Sequence, residues 1–219
     1  MDEELDLRAA PGFVEPAVAE ELPGLRLDWI SVPRGPRGSS QELVRRLRAL
    51  SDRYRGANVV AMRTQPIPHA YRVFFRHIGL DPDVDRIPIE QAAVSRLLHG
   101  GFESRGSLED ALLVALVETG VPVWALDADR IDPGGLGIRT SVPGDRLGRA
   151  DDAPELAPGR LVVADSRCVH GLLFGDLAPG HRVGSGTTRV ALFSVGVKGV
   201  PAIHVEEALW VCAEAMRGA

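Results

Sequence analysis

The 219-residue sequence has only two cysteines, a single lysine and no long uncharged hydrophobic run. Cys168 and Cys212 are too few for a disulfide framework, so we expect reduced thiols, as in cytoplasmic proteins. No stretch of about 18 apolar residues occurs, so we expect no membrane-spanning helix and no membrane partner. The acidic first residues lack the apolar segment of a secretory signal, which also favours a cytoplasmic location.

Short motifs typical of a particular chemistry are absent as well. Gly184-Ser185-Gly186 is too short for a phosphate loop and is not a nucleophile elbow, so it predicts a flexible turn. Cys168, His170, Asp176 and His181 lie near one another in the sequence, but their spacing matches no standard zinc site. We therefore predict no metal and no cofactor.

The charge of the chain is unevenly distributed. The formal net charge of −5 does not favour a wholly basic nucleic-acid-binding protein. Residues 34–76, however, contain ten arginines against two acidic residues, a local charge of +8. Such a stripe can attract RNA phosphates, and the alternative is a solvated helix surface. On the first interpretation, the helix predicted at 41–55 contacts RNA through Arg45, Arg46, Arg48, Arg53 and Arg55.

Hydrophobic periodicity predicts mainly helices in the first half of the chain and strands in the second. Helices are predicted at 41–55, 69–78, 89–98, 107–117 and 203–216. Strands are predicted at 25–32, 121–126, 136–141, 160–164, 169–174 and 189–197. The spacing of Ser39 and Glu42 suggests a capping box for the first helix. The pattern indicates an α+β fold, with residues 1–12 as a flexible N-terminus and 13–219 as a single domain.

Three segments, in this order and spacing, form a recognisable set. The first has an aromatic and basic run ending in Gly-Leu-Asp-Pro, the second joins Gly-Val-Pro to Asp-Ala-Asp, and the third pairs Leu-Val-Val-Ala-Asp with Thr-Thr-Arg-Val-Ala-Leu. They are Tyr71–Pro82 with Arg86–Ala92, Thr119–Ile131, and Leu161–Asp165 with Thr187–Leu192. Together they resemble the B3/B4 domain of the phenylalanyl-tRNA synthetase beta subunit, in a free-standing form.

The resemblance implies both a fold and a function. The fold would have a central, mostly antiparallel sheet flanked by helices. In the synthetase, this domain holds a proofreading pocket that hydrolyses tyrosine wrongly attached to the phenylalanine tRNA. A second site of this kind is needed because one hydrophobic pocket cannot strongly reject a near-isostere. We therefore expect a stand-alone protein that binds tRNA or another RNA and acts as a trans-editing hydrolase of mischarged aminoacyl-tRNA. Aminoacylation is not expected, because no synthetase catalytic module is present.

The resemblance also locates a candidate site. The substrate pocket would be formed by Trp124, Asp127, Gly175, Thr187 and Phe193. An acid or base such as Asp165 or His170 would orient the hydrolytic water. Simpler roles are open for three of these residues: Asp127 and Asp165 can cap turns after strands, and Thr187 can merely begin a strand.

Two positions differ from the family pattern. Trp124 stands where bacterial synthetases have a pocket histidine. Phe193, or Ser194 if the register shifts by one, stands where they have the glutamate that reads the tyrosine hydroxyl. Neither an indole nor a phenyl ring can accept a hydrogen bond as those groups do. The alternative function is therefore a non-catalytic module that binds RNA, a free amino acid or a partner protein.

Overall fold

The computed structural model describes residues 8–54, 61–149 and 153–218. Within these ranges the chain forms six α-helices and eight β-strands, and the predicted α+β class is confirmed. The helices are α1 (Pro16–Glu21), α2 (Gln41–Arg53), α3 (Pro66–His77), α4 (Pro88–His99), α5 (Ser107–Thr119) and α6 (Ala202–Arg217). The strands are β1 (Ala10–Pro11), β2 (Phe13–Val14), β3 (Arg26–Pro33), β4 (Val123–Asp127), β5 (Gly137–Thr140), β6 (Leu161–Ala164), β7 (Val169–Leu172) and β8 (Arg189–Gly196).

The strands divide between two four-stranded sheets, whereas the resemblance implies one central sheet. The first sheet has the order β1-β3-β8-β4 and is antiparallel throughout. The second has the order β2-β5-β6-β7, and only its β2–β5 pair is parallel. Gly12 separates β1 from β2, and a Cβ there would lie 2.5 Å from the Leu136 carbonyl oxygen. Only glycine therefore fits where the chain passes between the sheets.

The helices bury their apolar faces against the first sheet and against one another. α6 packs on β8 and β3, α5 packs on α6, and α2 packs on α5. The Tyr71 hydroxyl of α3 donates a 2.8 Å hydrogen bond to the Val195 carbonyl, which anchors α3 to β8. One apolar cluster runs through these elements, and a smaller one, Val162, Ala164 and Val169, lies on the second sheet.

The start of α2 and the inner face of α5 depend on particular small or polar residues, and the predicted Ser39 capping box is wrong. The N-cap of α2 is Ser40, whose hydroxyl accepts the Leu43 N–H at 3.1 Å, while Ser39 instead donates to Asp110. On α5, Leu108, Leu112 and Leu116 are only half-buried, whereas Ala111 and Ala115 are fully buried. Small side chains occupy the inner face because α5 packs directly on another helix.

Residues 10–12, which belong to the segment predicted to be flexible, pair with β3. Residues 1–7 of the predicted flexible N-terminus lie outside the described residues. Ala10 and Pro11 pair with Trp29 and Asp28, and the Gly12 N–H donates to the Leu27 carbonyl. None of the described helices is both long enough and apolar enough to cross a membrane.

Candidate functional site

The second sheet holds a buried line of three polar side chains. Asp165 follows β6, His170 lies on β7, and His181 ends a short 3-10 helix at Pro179–His181. His170 Nε2 lies 2.8 Å from Asp165 Oδ2, and His170 Nδ1 lies 2.8 Å from His181 Nδ1. No more than 3% of any of the three residues is exposed. The structure thus joins the two predicted catalytic residues and adds a third.

Asp165 is held by the turn between β6 and β7. Its Oδ1 accepts the N–H groups of Arg167 and Cys168 at 2.7 and 2.9 Å, and its Oδ2 accepts the Asp132 N–H at 2.8 Å. Burial alone would raise the pKa of Asp165, but these bonds and the one from His170 lower it to about 2. Asp165 therefore both caps the turn and presents an ionised carboxylate to His170.

The ionised carboxylate determines where the protons lie. Asp165 can only accept, so His170 donates its Nε2–H and keeps a lone pair on Nδ1. His181 must then donate its Nδ1–H to His170, which leaves a lone pair on His181 Nε2. That nitrogen has no hydrogen-bond partner among the described residues. The three side chains form a relay whose open end, His181 Nε2, can accept one more hydrogen bond.

Both imidazoles are held in the neutral state. Burial lowers the pKa of His170 below its ordinary value, although the bond to Asp165 acts in the opposite direction. Burial, and then the proximity of His170, Arg149 and Arg130, lower the pKa of His181 to about 4. At neutral pH the open end of the relay is therefore an unprotonated base.

Arg149 and Cys168 flank the relay. Arg149 Nε donates to Cys168 Sγ at 3.3 Å, and its Nη2 lies 3.9 Å from Asp165 Oδ2. Burial raises the pKa of Cys168, so it stays a thiol at neutral pH and is a poor nucleophile. The ligand atoms of Cys168, His170 and His181 lie within 4.8 Å of one another and could hold a metal ion. However, both His170 nitrogens already have partners, and the Arg149 guanidinium already supplies a cation, so the geometry favours a relay of hydrogen bonds.

The predicted aromatic pocket is filled from within the chain. Trp124 and Phe193 are paired on β4 and β8, and their rings stack at 5.4 Å. Phe174 lies edge-on against Trp124, also at 5.4 Å, and its other ring neighbours are Tyr71, Phe74 and Phe75. Its φ of +57° is rare for a bulky residue. Gly175, the predicted pocket glycine, is exposed in the same turn. Phe174 therefore occupies the space beside the Trp124–Phe193 stack.

Trp124 also faces a cavity. The cavity has a volume of about 370 Å³ and is lined by Trp124 and by residues of α4 and α5, among them Gln91, Leu112 and Leu116. The other predicted pocket residues do not line this cavity. Trp124 thus separates the filled aromatic cluster from an open cleft.

Asp127 and Thr187 stabilise a different turn. Asp127 Oδ2 accepts the Thr187 hydroxyl at 2.9 Å, and Oδ1 accepts the Asp129 N–H at 3.1 Å. Thr187 Oγ1 also accepts the Gly184 N–H at 3.0 Å. These contacts tie the end of β4 to the loop before β8, in agreement with the capping alternative. The predicted site residues therefore lie in three groups: the relay, the aromatic stack and this turn.

The arginines of α2 are only partly available. Arg46 forms a two-bonded ion pair with Glu118, at 2.8 and 2.6 Å. Arg45, Arg48 and Arg53 are exposed, and Arg55 lies outside the described residues. Earlier in the same basic stripe, Arg34 and Arg37 donate to the carbonyls of residues 184 and 185. The start of the stripe therefore contacts the loop that leads away from His181.

The sequence places His181 near Cys168 and His170, but it gives no clear signal for its role in the relay. It follows His170 by eleven residues, through a turn and an irregular loop, so no periodic pattern relates the two. Arg149 belongs to a polar loop and had no signal either. Comparison with known protein families and with curated proteins finds no match for this chain. The resemblance to the B3/B4 domain thus rests on the three sequence motifs.

Proposed function

We propose that this protein binds tRNA and hydrolyses the ester of mischarged aminoacyl-tRNA in trans, with Asp165, His170 and His181 as its proton relay. The observation that carries the proposal is the unpartnered lone pair on His181 Nε2 at the end of a buried hydrogen-bonded line. A neutral imidazole backed by an ionised carboxylate can act as a general base on water, and its pKa of about 4 keeps it unprotonated at neutral pH while making it a weaker base than an ordinary histidine.

The reaction requires no covalent intermediate. His181 Nε2 takes a proton from water as the water oxygen bonds to the ester carbonyl carbon. The carbon–oxygen bond to the ribose then breaks, and the same proton returns to the departing ribose oxygen. The positive charge that develops on His181 is stabilised through His170 by Asp165. A positioned general base of this kind contributes roughly 10²–10⁴ in rate.

Arginines near the relay support an RNA substrate. Arg149 and Arg167 border the turn that holds Asp165, and the side chain of Arg167 is 60% exposed. Arg34 and Arg37 reach the loop after His181 from the other direction. Phosphates of an acceptor stem can pair with several of these groups at once, and the affinity would then fall steeply as salt rises.

A deacylation assay tests the proposal. The purified protein is incubated with a panel of correctly and wrongly charged tRNAs, including tyrosine on the phenylalanine tRNA, and release of the amino acid is followed. We expect faster release from one mischarged species, with a loss of about 10²-fold or more in His181→Gln and in Asp165→Asn.

The matched control is His204→Gln, which replaces a partly exposed histidine on α6 that pairs with Glu207. It should keep the wild-type rate. Release at the buffer rate across the panel would refute the hydrolase. Equal activity in His181→Gln would refute the relay as its catalytic base.

The second candidate is a non-catalytic module that binds RNA, a free amino acid or a partner protein. Phe174 favours it, because this side chain fills the space in which the side chain of an edited amino acid would lie. On this interpretation, tRNA binding is salt-dependent and unchanged in His181→Gln, and no charged tRNA is hydrolysed. Fluorescence anisotropy with labelled tRNA at two salt concentrations distinguishes it from a protein that binds no RNA.

A further inference from the structure

A larger cavity lies apart from the relay. It has a volume of about 700 Å³ and is bounded by the α1–β3 turn, one face of α3 and the turn between β8 and α6. Its apolar wall consists of Leu22, Leu25, Ala70, Val73 and Phe74. Both the volume and the apolar lining are typical of sites for small organic ligands.

Basic groups converge on the rim of this cavity. Lys198, the only lysine in the chain, lies there with His69 and His77. All three are exposed, and within the described part of the chain their side chains form no hydrogen bond or ion pair. Among the residues that the structure describes, Glu21 is the only acidic one lining the cavity. Three unpaired donors against one carboxylate favour a ligand with a single negative charge.

The backbone that carries Lys198 is fixed by close packing. A Cβ at Gly24, which has a φ of +87°, would lie 3.2 Å from Lys198 Cα. A Cβ at Gly199, with a φ of +95°, would lie 3.2 Å from Ala70 Cβ. Both glycines have a backbone conformation that other residues adopt at a cost. The two turns therefore meet closely at the mouth of the cavity, so the position of the lysine is set before a ligand binds.

We propose that this cavity binds a small amphipathic monocarboxylate. The carboxylate pairs with the Lys198 ammonium and accepts hydrogen bonds from His69 and His77. The apolar body of the ligand lies against Val73, Phe74 and their apolar neighbours. Lysine suits this role because its compact charge on a flexible stem can follow an anionic head group. The site is independent of the relay and does not rest on the proposed hydrolase function.

The single lysine makes the test specific. Reductive methylation with ¹³C-formaldehyde labels Lys198 and the N-terminal amine, and the dimethylated lysine keeps its charge. We expect a saturable shift of the Lys198 methyl signal with decanoate below its micelle concentration, and no such shift with decanol or acetate. A shift with 3-phenylpropanoate but not with decanoate would identify an aromatic rather than an alkyl carboxylate. No saturable shift with either acid, an equal shift with acetate, or tighter binding of leucine, whose ammonium would pair with Glu21, would overturn the proposal.

Variants separate charge from shape. By calorimetry, Lys198→Met should weaken binding of the responding carboxylate by about tenfold or more, because it keeps the stem and removes the charge. Val73→Trp, at a half-buried position of the wall, should abolish binding by filling the cavity. Arg48→Met, which removes an exposed cation on α2, is the control and should bind as wild type does. His181→Gln should also bind as wild type, which separates this site from the relay. Wild-type affinity in both Lys198→Met and Val73→Trp would refute the assignment.

Discussion

The depressed pKa of His181 should make the protein sensitive to acid in a defined window. The unfolded chain has an ordinary histidine pKa of about 6.5, whereas that of folded His181 is about 4. Above pH 6.5 neither state carries the proton, so the full stability is present. As the pH falls from 6.5 to 4, the unfolded state binds the proton first and the folded state is destabilised. Below about pH 4 both states are protonated, and the loss is complete.

The size of this loss follows from the same shift. One pKa unit corresponds to about 1.4 kcal/mol, so a difference of about 2.5 units destabilises the folded state by about 3 kcal/mol at pH 4. His170 contributes in the same direction, since burial also lowers its pKa. His181→Gln cannot titrate but can still donate a hydrogen bond to His170. We therefore expect the variant to lose about 3 kcal/mol less than the wild type between pH 7 and pH 4.

Urea unfolding at several pH values measures this difference. The free energy of unfolding should fall steeply with acid in the wild type and less steeply in His181→Gln, with His204→Gln keeping the wild-type slope. Circular dichroism and fluorescence should give coincident transitions, so that a two-state free energy is defined. If the free energy of unfolding falls equally with pH in His181→Gln and in the wild type, His181 is not a buried neutral base, and the relay interpretation fails.

Three further predictions follow from particular contacts. The rate of aminoacyl-ester hydrolysis should be flat from pH 8 to about pH 5 and fall with an apparent pKa of about 4, as measured in a pH–rate profile. Phe174→Gly should be more stable than Phe174→Ala by about 1 kcal/mol in denaturant unfolding, because alanine retains the strain of a positive φ. Glu90→Gln should destabilise the protein by about 3 kcal/mol by the same assay, because Glu90 is 3% exposed and pairs with the buried Arg72 at 2.8 Å. Equal stability of the two Phe174 variants, or a loss under 1 kcal/mol in Glu90→Gln, would contradict the respective argument.

Local sequence signals were sufficient for most elements of the fold. The predicted helix at 107–117 and strand at 189–197 match α5 and β8 to within two residues at either end, because apolar periodicity and glycine boundaries are local features. The division into two sheets has no such signal. It depends on one residue, Gly12, being small enough for the chain to pass beside Leu27 and Leu136, which lie far along the sequence. Close packing between distant segments therefore limited the prediction.

The same limit applies to the candidate site. Asp165 and His170 were separate candidates in the sequence, and a buried strand followed by a sharp turn brings them together over five residues. The third member, His181, reaches them only because the Ala178 N–H bonds to the His170 carbonyl and directs the following turn back over β7. The filling of the aromatic pocket was likewise hidden, since it requires a positive φ at Phe174, a conformation that hydrophobic periodicity does not reveal.

If His181 is the catalytic base, the pH dependence of the free energy of unfolding and that of the hydrolytic rate should both depend on the protonation of this histidine. The loss of folding free energy begins near pH 6.5, where the unfolded chain takes up the proton, and ends near pH 4, where His181 of the folded protein is protonated. The hydrolytic rate should fall at this lower pKa of about 4, so the lower end of the stability window and the loss of rate should coincide. Asp165→Asn provides the decisive comparison. It removes the carboxylate that orients His170, and His170 can then present either tautomer to His181. The free energy of unfolding of Asp165→Asn should therefore depend on pH between 6.5 and 4 nearly as that of the wild type does. Its hydrolytic rate should be lower at every pH. A rate that follows a pKa near 6.5 would instead assign the base to an exposed histidine, and the relay would then be a stabilising element of the second sheet alone.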